Sequence, residues 1–168
     1  MRKLLYAGFG LVVLGLLNFG VVQKEQVLRE GDGLYLKLQP VDPRSLLQGD
    51  FMRLGFEVET ELRSALENKP IRAGGVVVTK GTDEVGNYVR IDDGRELATN
   101  EYWLHFTNVS WRPNLVPNSF FFQEGEASAF ETAEYALFVY DASRKDYVLR
   151  GLADENKELI NPRSTLGF

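Results

Sequence analysis

The sequence predicts an α+β fold, mainly antiparallel β in a sheet or barrel-like arrangement with two short helices, preceded by one N-terminal transmembrane helix. An uncharged apolar run occupies residues 4–22, and several later segments alternate apolar and polar residues with the two-residue period of β-strands. Gly, Pro, Asn and Asp cluster between these segments, as expected of turns. The predicted segments are an anchor (1–22), a juxtamembrane helix or linker (23–33), an outer globular domain (34–155) and a C-terminal tail (156–168).

The apolar run at residues 4–22 contains no charge, and Asn18 is its only strongly polar residue. As a helix it spans about 28 Å, close to the hydrocarbon thickness of about 30 Å. Arg2 and Lys3 precede it, so the positive-inside tendency predicts a cytoplasmic N-terminus in a bacterial inner membrane and a periplasmic outer domain. A cleaved signal peptide is the alternative, but the run is longer than a typical signal core and no Ala-x-Ala-like site follows it.

One face of the predicted membrane helix has small and polar residues at three- and four-residue steps. Gly8, Gly15 and Asn18 lie along this seam, together with Leu11 and Val22. Small residues let two helices approach closely, and an amide in lipid seeks a hydrogen-bond partner, so the seam is a candidate contact with another membrane helix. The alternative is that glycine is simply common in membrane helices and that Asn18 lies near the polar interface.

Seven or eight short strands are predicted in the outer domain. In the first, Leu34, Leu36 and Leu38 alternate with polar neighbours. The longest is Glu101–Val109, a central strand with Tyr102, Leu104 and Phe106 on one face and Trp103, His105 and Thr107 on the other. The other strands include residues 75–79, 88–91, 120–122 and a closing hairpin of 135–140 with 147–152.

Two short helices are predicted between these strands. Thr60 is a candidate cap for a helix over residues 61–68, which Pro70 ends. Residues 125–134 are rich enough in Ala and Glu to be helical.

A Gly-Asp turn leads into a strand with strict alternation after the loop at residues 40–48. Its inward set is Met52, Leu54, Phe56 and Val58, and its outward set is Arg53, Glu57 and Glu59. The pattern Gly49-Asp50-Phe51-x-x-Leu54-x-Phe56 resembles the signature of the GDYXXLXY family of membrane-anchored proteins. The resemblance extends over residues 34–152, and it implies a companion of multi-pass membrane proteins with no established biochemical activity.

Both tyrosines of the family pattern are phenylalanine in this chain. A phenol that exchanges protons therefore cannot be the purpose of the motif, whereas ring volume survives the substitution. We interpret the signature as a folding element in which Phe51 and Phe56 bury apolar area on opposite faces of a strand, and Asp50 accepts backbone hydrogen bonds.

Catalytic chemistry has little support in the sequence. The segment 40–50 is also similar to the substrate-cleft segment of type I signal peptidases, but Val41 stands where those enzymes have their nucleophilic serine. His105 is the only histidine, and we interpret it as a packed or hydrogen-bonded strand residue. The absence of cysteine and of calcium- or phosphate-binding motifs predicts no cofactor and no metal, and the net charge of −5 disfavours nucleic acid.

Two groups of polar residues are candidate site residues. Arg44 lies between Asp42 and Asp50, where its donors suit either a partner's carboxylates or an ion pair that fixes the loop. Glu124, followed by Gly125, comes after three phenylalanines. It is interpreted either as a cap of the following helix or as an acid whose ionisation is made harder by burial.

Two functions are consistent with these features. The first is a non-catalytic, membrane-anchored accessory or interaction subunit of an inner-membrane protein complex, which contacts an integral multi-pass partner through the seam and through Arg44 in the loop 40–48. The alternative is an envelope enzyme or small-ligand sensor with an acidic cleft around Asp42, Asp50 and Glu124. The shortage of nucleophiles favours the first.

Overall fold

The computed structural model describes residues 2–40 and 51–161 and confirms the predicted fold class. Its helices are α1 (Arg2–Glu30), α2 (Val58–Ala65) and a 3-10 turn (Ala127–Phe130). Among the described residues there are nine strands, one or two more than predicted: β1 (Asp32–Lys37), β2 (Phe51–Arg53), β3 (Ala73–Lys80), β4 (Gly86–Ile91), β5 (Glu101–Val109), β6 (Arg112–Leu115), β7 (Ser119–Phe121), β8 (Tyr135–Asp141) and β9 (Asp146–Ala153).

These strands form three antiparallel sheets, with strand orders β1-β8-β9, β2-β7 and β4-β3-β5-β6. An isolated bridge between Tyr35 and Val85 joins β1 to the start of β4, so the two larger sheets curl together as a half-barrel. Their inner faces enclose one core, and its fully buried side chains include Leu34, Leu36, Phe56, Leu62, Phe106, Phe138 and Leu152. The predicted alternation of β1 and β5 is confirmed by this burial.

The four-stranded sheet meets β1 at two places, with the start of β4 beside Tyr35 and with residues of β3 and β5 at Asp32. Tyr35 donates its backbone N–H to Glu84 O, just before β4, at 3.1 Å. Lys80, the last residue of β3, contacts the Asp32 carboxylate at 2.7 Å, and the Tyr102 hydroxyl of β5 donates to the same carboxylate. Strand β6 pairs with the other edge of β5, and its Leu115 N–H donates to Glu59 at the start of α2 at 2.7 Å.

The short helices differ from the sequence predictions. Helix α2 begins at Val58 rather than after Thr60, and the flanking Glu57 makes no side-chain cap hydrogen bond. The helix predicted over residues 125–134 is present only as the four-residue 3-10 helix Ala127–Phe130, so its length and type differ from the prediction. The Phe130 ring is buried with its centroid 5.0 Å from that of Phe120, so tertiary packing overrides the helix propensity of this Ala- and Glu-rich segment.

The signature strand is shorter than its alternation predicts. Strand β2 has only three residues and pairs with β7, although Leu54 and Phe56 beyond it are buried as expected. Val58 is also buried, but it belongs to α2.

Residues 156–160, which fall in the predicted tail, contact the domain. Leu159 forms a bridge with Ala153, and the Ile160 N–H donates to Leu152 O at 2.9 Å. The Lys157 ammonium donates to Asp83 O at 2.5 Å.

Candidate functional site

Helix α1 is long and apolar enough to cross a membrane between Phe9 and Glu30. The side chains from Phe9 to Val22 are exposed, so the rest of the described chain does not cover this part of the helix. Nothing lies within 4 Å of the position that a Cβ would take at Gly15. The Asn18 amide donates one N–H to Leu14 O at 2.9 Å, so part of its hydrogen-bonding capacity is satisfied inside its own helix.

The C-terminal end of α1 packs on the domain, in a contact that we call the α1 joint. Val27 is fully buried there. The Lys24 ammonium contacts the Asp146 carboxylate at 2.6 Å, and the Arg144 guanidinium donates to the Gln26 side chain at 3.2 Å. The exposed ion pair adds little stability by itself, but the buried valine fixes the helix against β8 and β9. Of the two possibilities predicted for residues 23–33, a juxtamembrane helix or a linker, the structure has the helix up to Glu30, where α1 ends.

Of the three signature residues that the structure describes, two lie in the core and one does not. Leu54 and Phe56 are buried, and the Phe56 ring centroid lies 5.8 Å from that of Phe138. Phe51 does not bury its ring as predicted. It is 42% exposed, and its ring centroid lies 5.8 Å from that of Phe121, which is more exposed still. Gly49 and Asp50 lie outside the described residues, as do Asp42 and Arg44.

Glu59 is the buried charged residue of the described chain, and sequence alternation had placed it on the outer face. Its carboxylate accepts the Leu115 N–H at 2.7 Å and the Phe56 N–H at 3.2 Å. Burial raises the pKa of Glu59, and these two hydrogen bonds and the charge of Arg63 oppose that rise only in part. The side chain therefore connects the start of α2 to β6 and serves the fold around the signature.

A polar hollow of about 910 Å³ lies beside Pro40, the last described residue before the gap. Lys37 and Glu57 line it and form an ion pair at 3.0 Å. Gln39 also lines it and donates to Phe56 O at 2.9 Å. The hollow has charges of both signs, since Arg63, Glu61 and Asp83 complete its walls.

A second polar cluster joins the two larger sheets at the start of β1. Burial acts to raise the pKa of Asp32, but hydrogen bonds from Lys80 and Tyr102 outweigh it and lower that pKa. Burial and the neighbouring Asp32 carboxylate raise the pKa of Tyr102. Asp32, Lys80 and Tyr102 satisfy one another's hydrogen-bonding capacity across the two sheets, so we assign this cluster a structural role.

The remaining candidate residues are separate from one another. The His105 ring stacks on Trp103 with centroids 6.0 Å apart, and its backbone N–H donates to the Tyr147 hydroxyl at 2.8 Å. Glu124 is exposed, and Gly125 takes a positive φ of 87° in the turn that follows it. Within residues 2–40 and 51–161, no three His, Cys, Asp or Glu side chains are grouped so that they could hold a metal ion.

A family model described as GDYXXLXY protein matches residues 13–144, well over half of the chain. The chain belongs to the GDYXXLXY family. In this GDYXXLXY protein the matched region runs from the middle of α1 into the turn between β8 and β9, so it includes the signature and the α1 and β8 parts of the α1 joint, whereas Asp146 and β9 lie beyond it. Among curated proteins and among solved structures, no match to the chain was found.

Sequence reasoning missed two features of this GDYXXLXY protein. Glu59 was assigned to the outer face because strand alternation was continued past Arg53, where the strand ends. Its position three residues after Phe56, at the start of a helix, was the available signal, because a carboxylate there bonds back to the preceding N–H. The α1 joint gave no local signal, since Val27 becomes buried only through contacts with β8 and β9.

Proposed function

We propose that the chain is a non-catalytic accessory subunit of an inner-membrane protein complex, with a cytoplasmic N-terminus and a periplasmic outer domain. The observation that supports this most is the α1 joint, which fixes an exposed apolar helix to a folded domain through Val27 and through Lys24 with Asp146. A fixed helix and domain present two contact surfaces in one geometry. Once one surface is bound, the other meets the same partner at high effective concentration.

The first of these surfaces is the helix seam. Gly15 offers space for close approach of another backbone, and Asn18 retains a second N–H and an oxygen that have no partner among the described residues. Gly8 extends the seam by sequence position. A helix of a multi-pass membrane protein is the partner that this surface fits.

The second surface is the hollow beside Pro40, together with the loop that follows it. Lys37, Glu57 and Arg63 provide charges of both signs on this surface. Arg44 in the loop adds a donor group that suits a partner's carboxylates, and its contribution rests on the sequence. A polar, mixed-charge surface of this kind suits recognition more than it suits strong apolar association.

The alternative is an envelope enzyme or small-ligand sensor. The size of the hollow beside Pro40 favours it, because about 910 Å³ is within the range of small-molecule sites. Its wide polar lining argues against it, because such sites are lined mainly by apolar side chains with a few placed polar groups.

Co-purification in a mild detergent separates the two functions. The accessory-subunit proposal expects a stoichiometric integral membrane protein to remain bound to the tagged full-length chain. A lone monomer that carries a bound metabolite would support the alternative instead.

The proposed topology has its own test. N-terminal sequencing of membrane-extracted protein should find residues 1–22 retained, and a protein that begins after Val22 would refute the anchor. Protease added to the periplasmic side should digest the outer domain, and digestion only from the cytoplasmic side would refute the orientation.

A further inference from the structure

Strands β7 and β9 face each other across one groove, which we call the β7-β9 groove. Strand β7 pairs with β2, and β9 pairs with β8, but no residue of β2 or β8 lines the groove. Among the described residues, nothing pairs with the other edge of β7, or with the other edge of β9 before Leu152. The groove therefore has an unpaired strand edge on both walls.

The β7-β9 groove follows β9 for about five residues. Its first part, of about 470 Å³, is lined by residues 147–149, and its second part, of about 480 Å³, by Arg150 and Gly151. Phe120 and Phe121 of β7 line both parts, so the two are continuous. Residues 147–151 span about 14 Å at the rise of a β-strand, which is the length of a short added strand.

Apolar side chains line both walls of this groove. Phe121 is 74% exposed, and Leu159 at the far end is 42% exposed. Phe120 and Leu149 pack against the core below, and Val148 is half-buried beside them. A contiguous exposed apolar surface of this kind marks an interaction site.

The exposed ring of the family signature supports one of these walls. Phe51 is paired directly opposite Phe121 across β2 and β7, and the two ring centroids lie 5.8 Å apart. A ring at position 51, of tyrosine or of phenylalanine, thus packs on Phe121 beside the groove. This contact gives the signature residue a role that burial in the core does not.

The last described residues of the chain pair with β9, but the sequence that follows lacks the next donor. The Asp154 N–H donates to Glu158 O at 3.1 Å, and the Ile160 N–H donates to Leu152 O at 2.9 Å. Ladder bonds in an antiparallel pair fall on every second residue, so the next donor would be residue 162. That residue is proline, which has no N–H, so the edge of β9 before Leu152 is left to another strand.

The two walls select a single extended segment as the occupant. The edge of a folded sheet, such as that of a second copy, carries a neighbouring strand about 4.8 Å away, and that strand would collide with β7. Lys24 of the α1 joint lines one end of the groove, two residues beyond the apolar run that ends at Val22. A chain that leaves a membrane helix packed beside α1 therefore emerges at this end of the groove.

We propose that the β7-β9 groove binds an extended apolar segment of the integral membrane partner, which adds a strand to the edge of β9. The inference rests on the accessory-subunit proposal and names a third contact surface. Backbone hydrogen bonds with β9 hold the segment, and Phe120, Phe121 and Leu149 favour apolar side chains on it.

Two substitutions at exposed rings test the groove in the full-length tagged chain. Phe121→Asp places a charge in the groove. Trp111→Asp is the matched control, because Trp111 is 64% exposed and lines a separate hollow at the end of α2. In mild-detergent co-purification, Phe121→Asp should retain several-fold less partner, with an unchanged melting temperature of the outer domain, and Trp111→Asp should retain the parental amount.

The outcomes separate this inference from the accessory-subunit proposal. A parent chain that retains no stoichiometric integral partner refutes the accessory-subunit proposal, and the inference falls with it. A parent chain that retains the partner, together with a Phe121→Asp variant that retains it at the parental ratio, refutes the groove alone.

Hydrogen exchange tests strand addition without any variant. Amides of residues 147–151 should exchange several-fold more slowly in the complex than in the chain after a harsher detergent removes the partner. Amides of β4, an edge strand of the four-stranded sheet that does not line the groove, should exchange equally in both states. Equal exchange of residues 147–151 in the two states overturns the proposal. Exchange that is already slow without the partner, and that a stop codon after Asn161 makes fast, assigns the groove to residues 162–168 and also overturns it.

Discussion

Removal of the Glu59 carboxylate should destabilise the folded domain itself, whether or not a partner protein is bound. Glu59→Ala leaves the buried Leu115 and Phe56 N–H groups without their acceptor. Each unpaired donor costs about 1–3 kcal/mol, and the longer bond to Phe56 belongs at the low end, so we expect a loss of about 2–4 kcal/mol. Glu57→Ala is the control, because its exposed ion pair with Lys37 contributes at most about 1 kcal/mol.

The Glu59 contribution should also depend on pH in a defined direction. Because burial raises its pKa above the ordinary value, the folded chain binds more protons than the unfolded chain between the two values. The stabilisation from this proton uptake is fully present below the pKa that Glu59 has in the unfolded chain. It is lost as the pH rises through the pKa that Glu59 has in the folded chain. Glu59→Gln cannot titrate, so the stability of the parent relative to this variant should fall as pH rises across that interval.

Urea denaturation of the full-length protein in a mild detergent, followed by circular dichroism at several pH values, measures both effects. A Glu59→Ala variant within about 0.5 kcal/mol of the parent would refute the role of the two hydrogen bonds, since that is the range of ordinary surface substitutions. A difference between the parent and Glu59→Gln that does not change with pH would refute the raised pKa.

Four further substitutions have definite expectations. Phe56→Ala removes a fully buried ring and should lower the free energy of unfolding, measured by urea denaturation, by about 3–5 kcal/mol. Phe51→Ala removes a ring that is 42% exposed and should lower it by less than about 1.5 kcal/mol. Equal losses in the two variants would contradict the difference in burial. Trp111→Gly relieves a positive φ and should raise stability by about 1 kcal/mol, so a lower melting temperature would show that the turn is not strained. Gly75→Ala places a Cβ 1.8 Å from the Trp103 Nε1 and should cost about 1–3 kcal/mol, and an unchanged melting temperature would show that the ring can move aside.

The parts of the fold that were predicted correctly depend on local patterns. Leu34, Leu36 and Leu38 alternate through β1, and Glu101–Val109 alternates through β5, because one face of each strand meets the core. The parts that were missed depend on distant contacts. Phe130 is drawn into a cluster with Phe120, and this packing leaves only a 3-10 turn where composition predicted a helix.

The candidate site was predictable only where it follows the helix period. The spacing of Gly15 and Asn18 places them on one face of any helix, and α1 confirms that helix. The α1 joint could not be predicted, because Val27 looks like any other apolar residue near a membrane helix until β8 and β9 cover it. Phe51 shows the opposite case, since a residue in a family signature is exposed and its ring contributes little to the core.

Partner retention by two glycine variants tests the accessory-subunit proposal most directly. Gly15 lies on the seam, and Gly20 lies on the opposite face at about 100° per residue. Both are open in the chain itself, with nothing within 4 Å of an added Cβ. In mild-detergent co-purification, Gly15→Leu should lose the integral membrane partner while Gly20→Leu keeps it at the parental ratio, both with an unchanged melting temperature of the outer domain. Retention of the partner at the parental ratio by both variants would contradict the seam as the contact.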